Sequence, residues 1–150
     1  MKLAIVAAAA AAGALFALPA LAQEGPPPYE NGPVWVYQGV HTKDGMEGKY
    51  IRWLDTQWKA QEENLKRNGV ILNYQVLEVV DPRTGEPDVE LGQEFPNMAS
   101  FDATPEQVYS GTQKFYGSAA AMAKANQGEI DRSAMRKVMG TIMFREIRLK

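Results

Sequence analysis

The sequence predicts one α+β domain in which an antiparallel four-stranded sheet is covered by helices. Three observations lead to this fold class. Four runs rich in valine, isoleucine and aromatic residues have the composition of strands. Two segments with apolar residues at helical spacing separate the first strand from the second and the third from the fourth. After residue 33 no further linker interrupts these elements, so the 150-residue chain is expected to form a single domain.

Residues 1–33 are predicted to lie outside this domain. Residues 1–22 have a charged start, an apolar alanine-rich stretch and a final Ala-Leu-Ala, which is the pattern of a secretory signal peptide. A transmembrane anchor is the alternative, but the stretch is short and weakly hydrophobic for a span. Residues 23–33, "QEGPPPYENGP", are predicted to be a proline-rich linker, or an arm that packs on a partner through Tyr29. We therefore expect a periplasmic or secreted protein with a domain at 34–150 and no membrane contact after cleavage.

The first half of the domain is predicted to be a strand, a helix and a strand. In residues 34–41 valines alternate with aromatic residues, which places Trp35, Tyr37 and His41 on one face. Residues 47–68 follow a helical period, with a predicted core stripe of Ile51, Leu54, Trp58 and Leu65. Gly69 ends that helix as a left-handed cap. Residues 70–80, "VILNYQVLEVV", then form the most apolar strand.

The second half is predicted to repeat the pattern with a hairpin, a helix and a strand. The loop "DPRTGEPD" joins the second strand to a third at residues 89–95. Thr104-Pro105-Glu106-Gln107 is a capping box with proline at the first helical position, so a helix begins at residue 105 and carries its apolar stripe to residue 122. A short helical turn is predicted over residues 133–139, and a last strand over 141–149.

The order of these elements is βαββαβ, the ferredoxin-like arrangement, with the helices on one face of the sheet. The uncovered face of such a sheet is normally polar. Here both faces of the predicted strands are apolar, so a second sheet is expected to cover the first. The simplest source is another copy of the chain, which predicts a homodimer.

The chain also resembles a known superfamily. The succession "YIRWLDTQWKAQEENLKRNGVILNYQVLEVV", a hairpin, "FPNMASFDATPEQ" and "MFREIRL" is similar to that of the dimeric α+β barrel superfamily, and in particular its small exported bacterial members of uncharacterised function. The resemblance covers residues 34–149. It implies a homodimer whose two sheets face each other, with a small apolar pocket in each subunit between sheet and helices. Superfamily members include cofactor-free monooxygenases, haem-dependent peroxidases, isomerase-like enzymes, stress-response proteins and ligand binders, so the likeness assigns no chemistry.

The composition excludes several kinds of chemistry. There is no cysteine, so disulfides, thiol nucleophiles and cysteine-bound metals are ruled out. The one histidine, His41, ends a strand, whereas haem-binding members of the superfamily are expected to use a histidine on the helical side. A zinc or iron site needs several converging ligands. The 16 basic and 18 acidic residues are scattered and form no basic face for nucleic acid. We therefore expect no cofactor, no metal site and no nucleic-acid partner.

Seven residues are candidates for a site that accepts a small aromatic or hydrophobic ligand. His41 has the side chain best suited to proton transfer near neutral pH, and Tyr37 and Tyr74 could add acid-base hydroxyls. The candidates for ligand contact are Trp35, Trp53, Trp58 and Arg145. Each has a structural alternative: packing for Trp58, a salt bridge for Arg145, and a solvated strand end for His41.

Two functions remain open at this point. The protein is either a small-molecule-binding dimer, or a cofactor-independent lyase, isomerase or monooxygenase that acts on a small aromatic or carbonyl compound. In the second case His41 or a tyrosine would be the acid-base group.

Overall fold

The computed structural model describes residues 25–150, apart from the side chains of residues 126, 129 and 130. The predicted signal peptide, residues 1–22, lies outside the described residues. The four strands are β1 (Tyr29–Thr42), β2 (Asn73–Glu78), β3 (Val89–Phe95) and β4 (Arg136–Leu149). The helices are α1 (Glu47–Trp53), a π-helical segment (Leu54–Trp58), α2 (Lys59–Arg67), a 3₁₀ turn (Met98–Phe101), α3 (Pro105–Tyr116) and α4 (Ala119–Ser133).

The strands form one antiparallel sheet in the order β2-β3-β1-β4. This order confirms the predicted ferredoxin-like α+β fold, because its two βαβ halves place β1 and β3 side by side in the centre. No helix within residues 25–150 is long and apolar enough to span a membrane.

The apolar core lies between the sheet and the first helical segments. Residues opposite each other in an antiparallel pair point to the same side, so Val40 with Val89 and Gln38 with Leu91 share the side that faces the helices. We call this side the inner face and the opposite side the outer face. The buried core cluster consists of Val40, Tyr50, Leu54, Trp58, Val89, Leu91 and Met135.

Strand β1 begins earlier than predicted. Tyr29 pairs with Leu149 of β4, so residues 29–33 belong to the sheet and not to a linker. The register shifts between Asn31 and Val34, which leaves Pro33 at an irregularity where its missing N–H costs no ladder hydrogen bond. The predicted boundary at residue 34 is therefore wrong, and the folded domain includes the second half of the supposed linker.

The region before the last strand also differs from the prediction. The helix that begins at Pro105 ends at Tyr116, where Gly117 adopts a left-handed φ of 72°, and Ser118 caps a second helix, α4. The predicted helical turn at 133–139 is wrong, because β4 already begins at Arg136 and pairs with Thr42. Pairing with the long strand β1 overrides the weak local preference of this segment.

Two predicted helix ends are confirmed. Thr104 Oγ1 accepts from Gln107 N at 3.3 Å, and Gln107 Oε1 accepts from Thr104 N at 2.8 Å, which is the complete capping box. The first helical region runs from Glu47 to Arg67, and Gly69 follows with a φ of 69°. Inside it Leu54 and Trp58 of the predicted core stripe are buried, whereas Ile51 is exposed and the neighbouring Tyr50 is buried in its place.

Candidate functional site

A cleft of about 270 Å³ lies between the inner face of the sheet and the helices. Seven of its eleven lining residues are polar, which is unusual for a space at the edge of a hydrophobic core. Strands provide Val36, Gln38, Leu91, Gln93, Arg136 and Thr141, and helices provide Trp53, Trp58, Gln61, Glu62 and Arg132. The sequence predicted an apolar pocket in this location, whereas the cleft that is found there is lined by polar as well as apolar side chains.

The π-helical segment explains why Trp53, Trp58 and Glu62 face the same cleft. In an α-helix, residues five apart lie about 140° apart around the axis. Here Lys59 N–H donates to Leu54 O, five residues earlier, so the turn is wider than an α-helical turn. The wider turn also buries residues at four-residue intervals, namely Tyr50, Leu54, Trp58 and Glu62.

Glu62 is the acidic side chain of the cleft, and it is only 3% exposed. Gln93 Nε2 donates to Glu62 Oε2 at 2.8 Å and is its hydrogen-bond partner among the described residues. Burial raises the pKa of the Glu62 carboxyl above 4.5, and the Gln93 hydrogen bond opposes this in part. Glu62 therefore holds its proton more tightly than an exposed glutamate does.

Two arginines bring positive charge to the cleft. The Arg132 side chain is buried, and its guanidinium carbon lies 4.6 Å from the centroid of the Trp53 ring. The guanidinium of Arg136 lies 5.9 Å from the ring of Tyr50. Burial lowers the pKa of Arg132, and repulsion from Arg136 lowers it further. Guanidinium groups bind carboxylates through charge-assisted hydrogen bonds, so this side of the cleft suits an anionic group.

Tyr74 lies beside this cleft without lining it. Its ring meets Trp58 edge-on at 5.5 Å, and its hydroxyl donates to Glu63 Oε1 at 2.6 Å. That hydrogen bond to a carboxylate, together with burial, raises the pKa of Tyr74 to about 12. The hydroxyl of Tyr74 is therefore hydrogen-bonded to Glu63, and Tyr74 does not line the cleft.

His41 lies at the end of β1, apart from the cleft. Its side chain is 53% exposed, and Nδ1 is 3.5 Å from Asp88 Oδ2. Asp88 also accepts from the backbone N–H and the hydroxyl of Thr42, so it closes the end of the strand. This arrangement matches the structural alternative for His41, a solvated strand end, with the difference that its partner comes from the β2–β3 loop.

The remaining predicted residues lie elsewhere. Trp35 and Tyr37 are stacked at 5.6 Å on the outer face, and Phe144 meets Tyr37 edge-on. With Leu77, Glu90 and Ile142 they line an open concavity of about 510 Å³. Arg145 pairs across the ladder with Val34 and is exposed. The sheet therefore separates Trp35 and Tyr37 from Trp53 and Trp58, and the structure does not bring the seven predicted residues into one site.

Four residues of the cleft were missed by the sequence analysis: Glu62, Gln93, Arg132 and Arg136. Glu62 continues a four-residue repeat from Tyr50, which points to a common face only if the helix is wider than an α-helix. Gln93 follows Leu91 by two residues on a strand whose inner positions are otherwise apolar. That polar interruption was the available signal. The arginines carried no such signal: Arg136 lies in the segment that was predicted as a helical turn, and Arg132 lies just before it, in a stretch for which no element was predicted.

No family model matches the chain, and no curated protein matches it in sequence. Among solved structures, the crystal structure of HapK from Hahella chejuensis is similar, with 11% identity over 75% of this chain and 91% of HapK, and a TM-score of 0.49. We draw no conclusion about function from a likeness at this level. By its own topology the chain is an α+β protein of ferredoxin-like fold, and among the side chains that the structure describes no cluster of three or more acidic or histidine residues could hold a metal ion.

Proposed function

We propose that the protein is an exported homodimer that binds a small molecule in the cleft of each subunit, and that the ligand joins an anionic group to a flat apolar part. The observation that carries the proposal is the contact of Arg132 with the face of Trp53 inside the cleft. A guanidinium beside an indole offers a charge-assisted hydrogen bond and a stacking surface in the same place.

The size and the walls of the cleft limit the ligand. A volume of about 270 Å³ is at the lower end for ligand sites, so it suits a compound of roughly one ring and a short substituent. Trp53 and Trp58 supply aromatic surface, and Gln38, Gln61 and Gln93 supply amide groups that bind carbonyl or hydroxyl oxygens. This set of side chains favours a polar aromatic acid over the purely hydrophobic ligand expected from the sequence.

The outer face supports the homodimer. Leu77, Ile142 and Phe144 are 43%, 51% and 51% exposed, and they adjoin Trp35 and Tyr37 around one concavity. A contiguous apolar surface of this kind is normally covered in a soluble protein. A second copy supplies a surface of the same shape and polarity, which is how a two-fold dimer buries such a face. Export is supported by the signal-peptide pattern of residues 1–22.

Calorimetric titration with a matched pair of ligands tests the binding proposal. Phenylacetate carries the anion, and 2-phenylethanol replaces it with a neutral hydroxyl. We expect phenylacetate to bind about 10- to 100-fold more tightly, the value of a hydrogen bond to a charged group. Arg132→Gln should remove that preference. Arg148→Gln is the control, because Arg148 pairs with Glu146 on an exposed part of β4. Equal binding of the two ligands, or binding of neither, would contradict the proposal.

The alternative from the sequence is a cofactor-independent enzyme. His41 and Tyr74 do not line the cleft. Glu62 does line it, and its buried carboxyl could act as the acid-base group in their place, which favours this alternative.

A further inference from the structure

We propose that Glu62 is a catalytic acid-base residue, which transfers a proton in the keto–enol tautomerisation of a small 2-oxo acid with an aromatic substituent. This inference rests on the proposed function, because it requires that the cleft binds an anionic aromatic compound. It replaces His41 and the tyrosines as the acid-base group, and it names the substrate class.

The first argument is the position of Glu62 between two cavities. A groove of about 410 Å³ runs between α2 and α3, and Gln61 and Glu62 line both this groove and the cleft. Most of the groove is apolar, with Leu65, Val70, Val108 and Phe115 among its walls. Glu62 therefore stands where a polar cavity adjoins an apolar one.

The second argument is the order of chemical groups around Glu62. The arginines line the cleft, Gln93 donates to the Glu62 carboxyl, and Glu62 also lines the apolar groove. A 2-oxo acid with an aromatic substituent has the same order: carboxylate, carbonyl, CH₂ carbon and ring. In the proposed pose the carboxylate lies at Arg132 and the rest of the molecule extends toward the groove, so that the acidic CH₂ carbon lies beside Glu62, which lines both cavities.

The third argument is the chemical state of the carboxyl. Glu62 is buried with an amide partner, and burial raises its pKa. A general base works best when its pKa is close to the operating pH, and an ordinary glutamate ionises too low for this. The burial that makes Glu62 costly for folding thus makes it a better proton acceptor.

The proposed step needs no other reactant. The Glu62 carboxylate takes a proton from the CH₂ carbon, the electron pair of that C–H bond forms the C=C bond, and the carbonyl π pair moves to oxygen. The resulting enolate carries its charge near Arg132 and Arg136. The Glu62 carboxyl then gives the proton to the enolate oxygen, which yields the enol and restores the carboxylate. In reverse, the same steps return a proton to carbon.

The test uses phenylpyruvate in D₂O, with nuclear magnetic resonance to follow loss of the CH₂ proton signal and calorimetry to follow binding. We expect the wild-type protein to accelerate exchange over buffer alone. Glu62→Gln should lower the protein-dependent rate by about 100-fold or more, the usual contribution of a general base. Its dissociation constant for phenylpyruvate should stay close to that of wild type. Glu78→Gln, on the exposed part of β2, is the control and should keep the full rate.

A pH profile separates catalysis from a structural role. The charged or titratable groups around Glu62 are Tyr74 on β2 with its partner Glu63, Arg132 on α4, Arg136 on β4 and Tyr116 on α3. The exchange rate should rise with pH as Glu62 loses its proton, with a midpoint above 4.5. Gln93→Leu removes a hydrogen bond that lowers this pKa, so it should move the midpoint to higher pH. This variant also serves if Glu62→Gln does not fold.

The outcomes distinguish the two proposals. If the wild-type protein binds phenylpyruvate but exchanges its protons no faster than Glu62→Gln, Glu62 is not catalytic and the binding function stands. An unshifted pH midpoint in Gln93→Leu would likewise overturn the role of Glu62. If phenylpyruvate and phenylacetate both fail to bind, the proposed function fails and this inference fails with it.

Discussion

Both faces of the sheet depart from the usual separation of polar and apolar residues. The inner face carries the apolar core and yet places Gln38 and Gln93 in a cleft with Glu62 of α2, whereas the outer face is open and yet carries Tyr37 and Phe144. An antiparallel sheet with helices on one side normally buries its apolar face against them and exposes its polar face to solvent. The difference is what the two proposals account for: ligand binding would explain the polar groups on the covered face, and dimer formation would explain the apolar groups on the open face.

The largest expected effect compares two tryptophans on opposite faces. Trp58→Ala removes a buried ring from the core and should lower the free energy of unfolding by about 3–5 kcal/mol at every protein concentration. Trp35→Ala should lower it mainly at concentrations where the dimer forms, since the Trp35 ring lies on the outer face. Urea denaturation at several protein concentrations measures both. If the free energy of unfolding of Trp35→Ala is lowered by the same amount at every protein concentration, the outer face does not differ from the core in this way.

The next effect concerns association alone. Phe144→Asp places a charge in the centre of the outer face and should weaken the dimer by on the order of 100-fold. Sedimentation equilibrium measures the dissociation constant. Val108→Asp is the control, because Val108 is just as exposed but lies on α3. A wild-type protein that is monomeric at micromolar concentration would refute the dimer.

A smaller effect is the pH dependence that Glu62 gives to stability. Below pH 4.5 the carboxyl is protonated in the folded and the unfolded chain, so it does not affect stability. As the pH rises, the unfolded chain loses this proton first, because the folded pKa is higher, and the folded state is destabilised until the pH passes that folded pKa. Glu62→Gln lacks this penalty.

Glu62→Gln should therefore be more stable than wild type at pH 8, by on the order of 1 kcal/mol. The advantage should vanish near pH 4. Thermal unfolding across this pH range measures it. An advantage that is equal at both ends would show that the carboxyl is not the cause.

The smallest effect belongs to the matching carboxyl on the outer face. Glu90 lines the outer concavity, one of its oxygens is buried without a hydrogen-bond partner among the described residues, and burial raises its pKa. Dimer formation would desolvate it further, so the dimer should weaken as the pH rises through the pKa of Glu90. Glu90→Gln should tighten the dimer at pH 8 by roughly threefold, which is less than 1 kcal/mol. Sedimentation at pH 5 and pH 8 would show no difference between variant and wild type if Glu90 stays solvated.

The local signals in the sequence were sufficient for the order of the elements. Capping and turn residues act within a few positions, and for that reason Thr104 and Gly69 marked helix ends correctly. Non-local pairing was not visible in the same way. Residues 29–33 have an unfavourable composition for a strand, but they pair because β4 extends beside them.

The candidate site was harder to predict than the fold. Trp53 and Trp58 were correctly placed on the helix that faces the sheet, but the outer-face residues Trp35 and Tyr37 were grouped with them because both sides of β1 are apolar. Alternation shows which residues share a face, and it does not show which face the helices cover. The sequence analysis did not predict Glu62 as a site residue, because Glu62 faces the cleft only when the π-helical segment before it is present.

The π-helical segment of residues 54–58 makes the orientation of Glu62 sensitive to chain length. Such a segment is equivalent to one residue inserted into an α-helix. Removing a single residue from it would restore regular α-helical winding and rotate everything after it by about 100°. Glu62 would then leave the cleft even though no residue of the cleft had been substituted. A deletion of one codon here would thus remove the buried carboxyl from the cleft without any substitution at Glu62 itself.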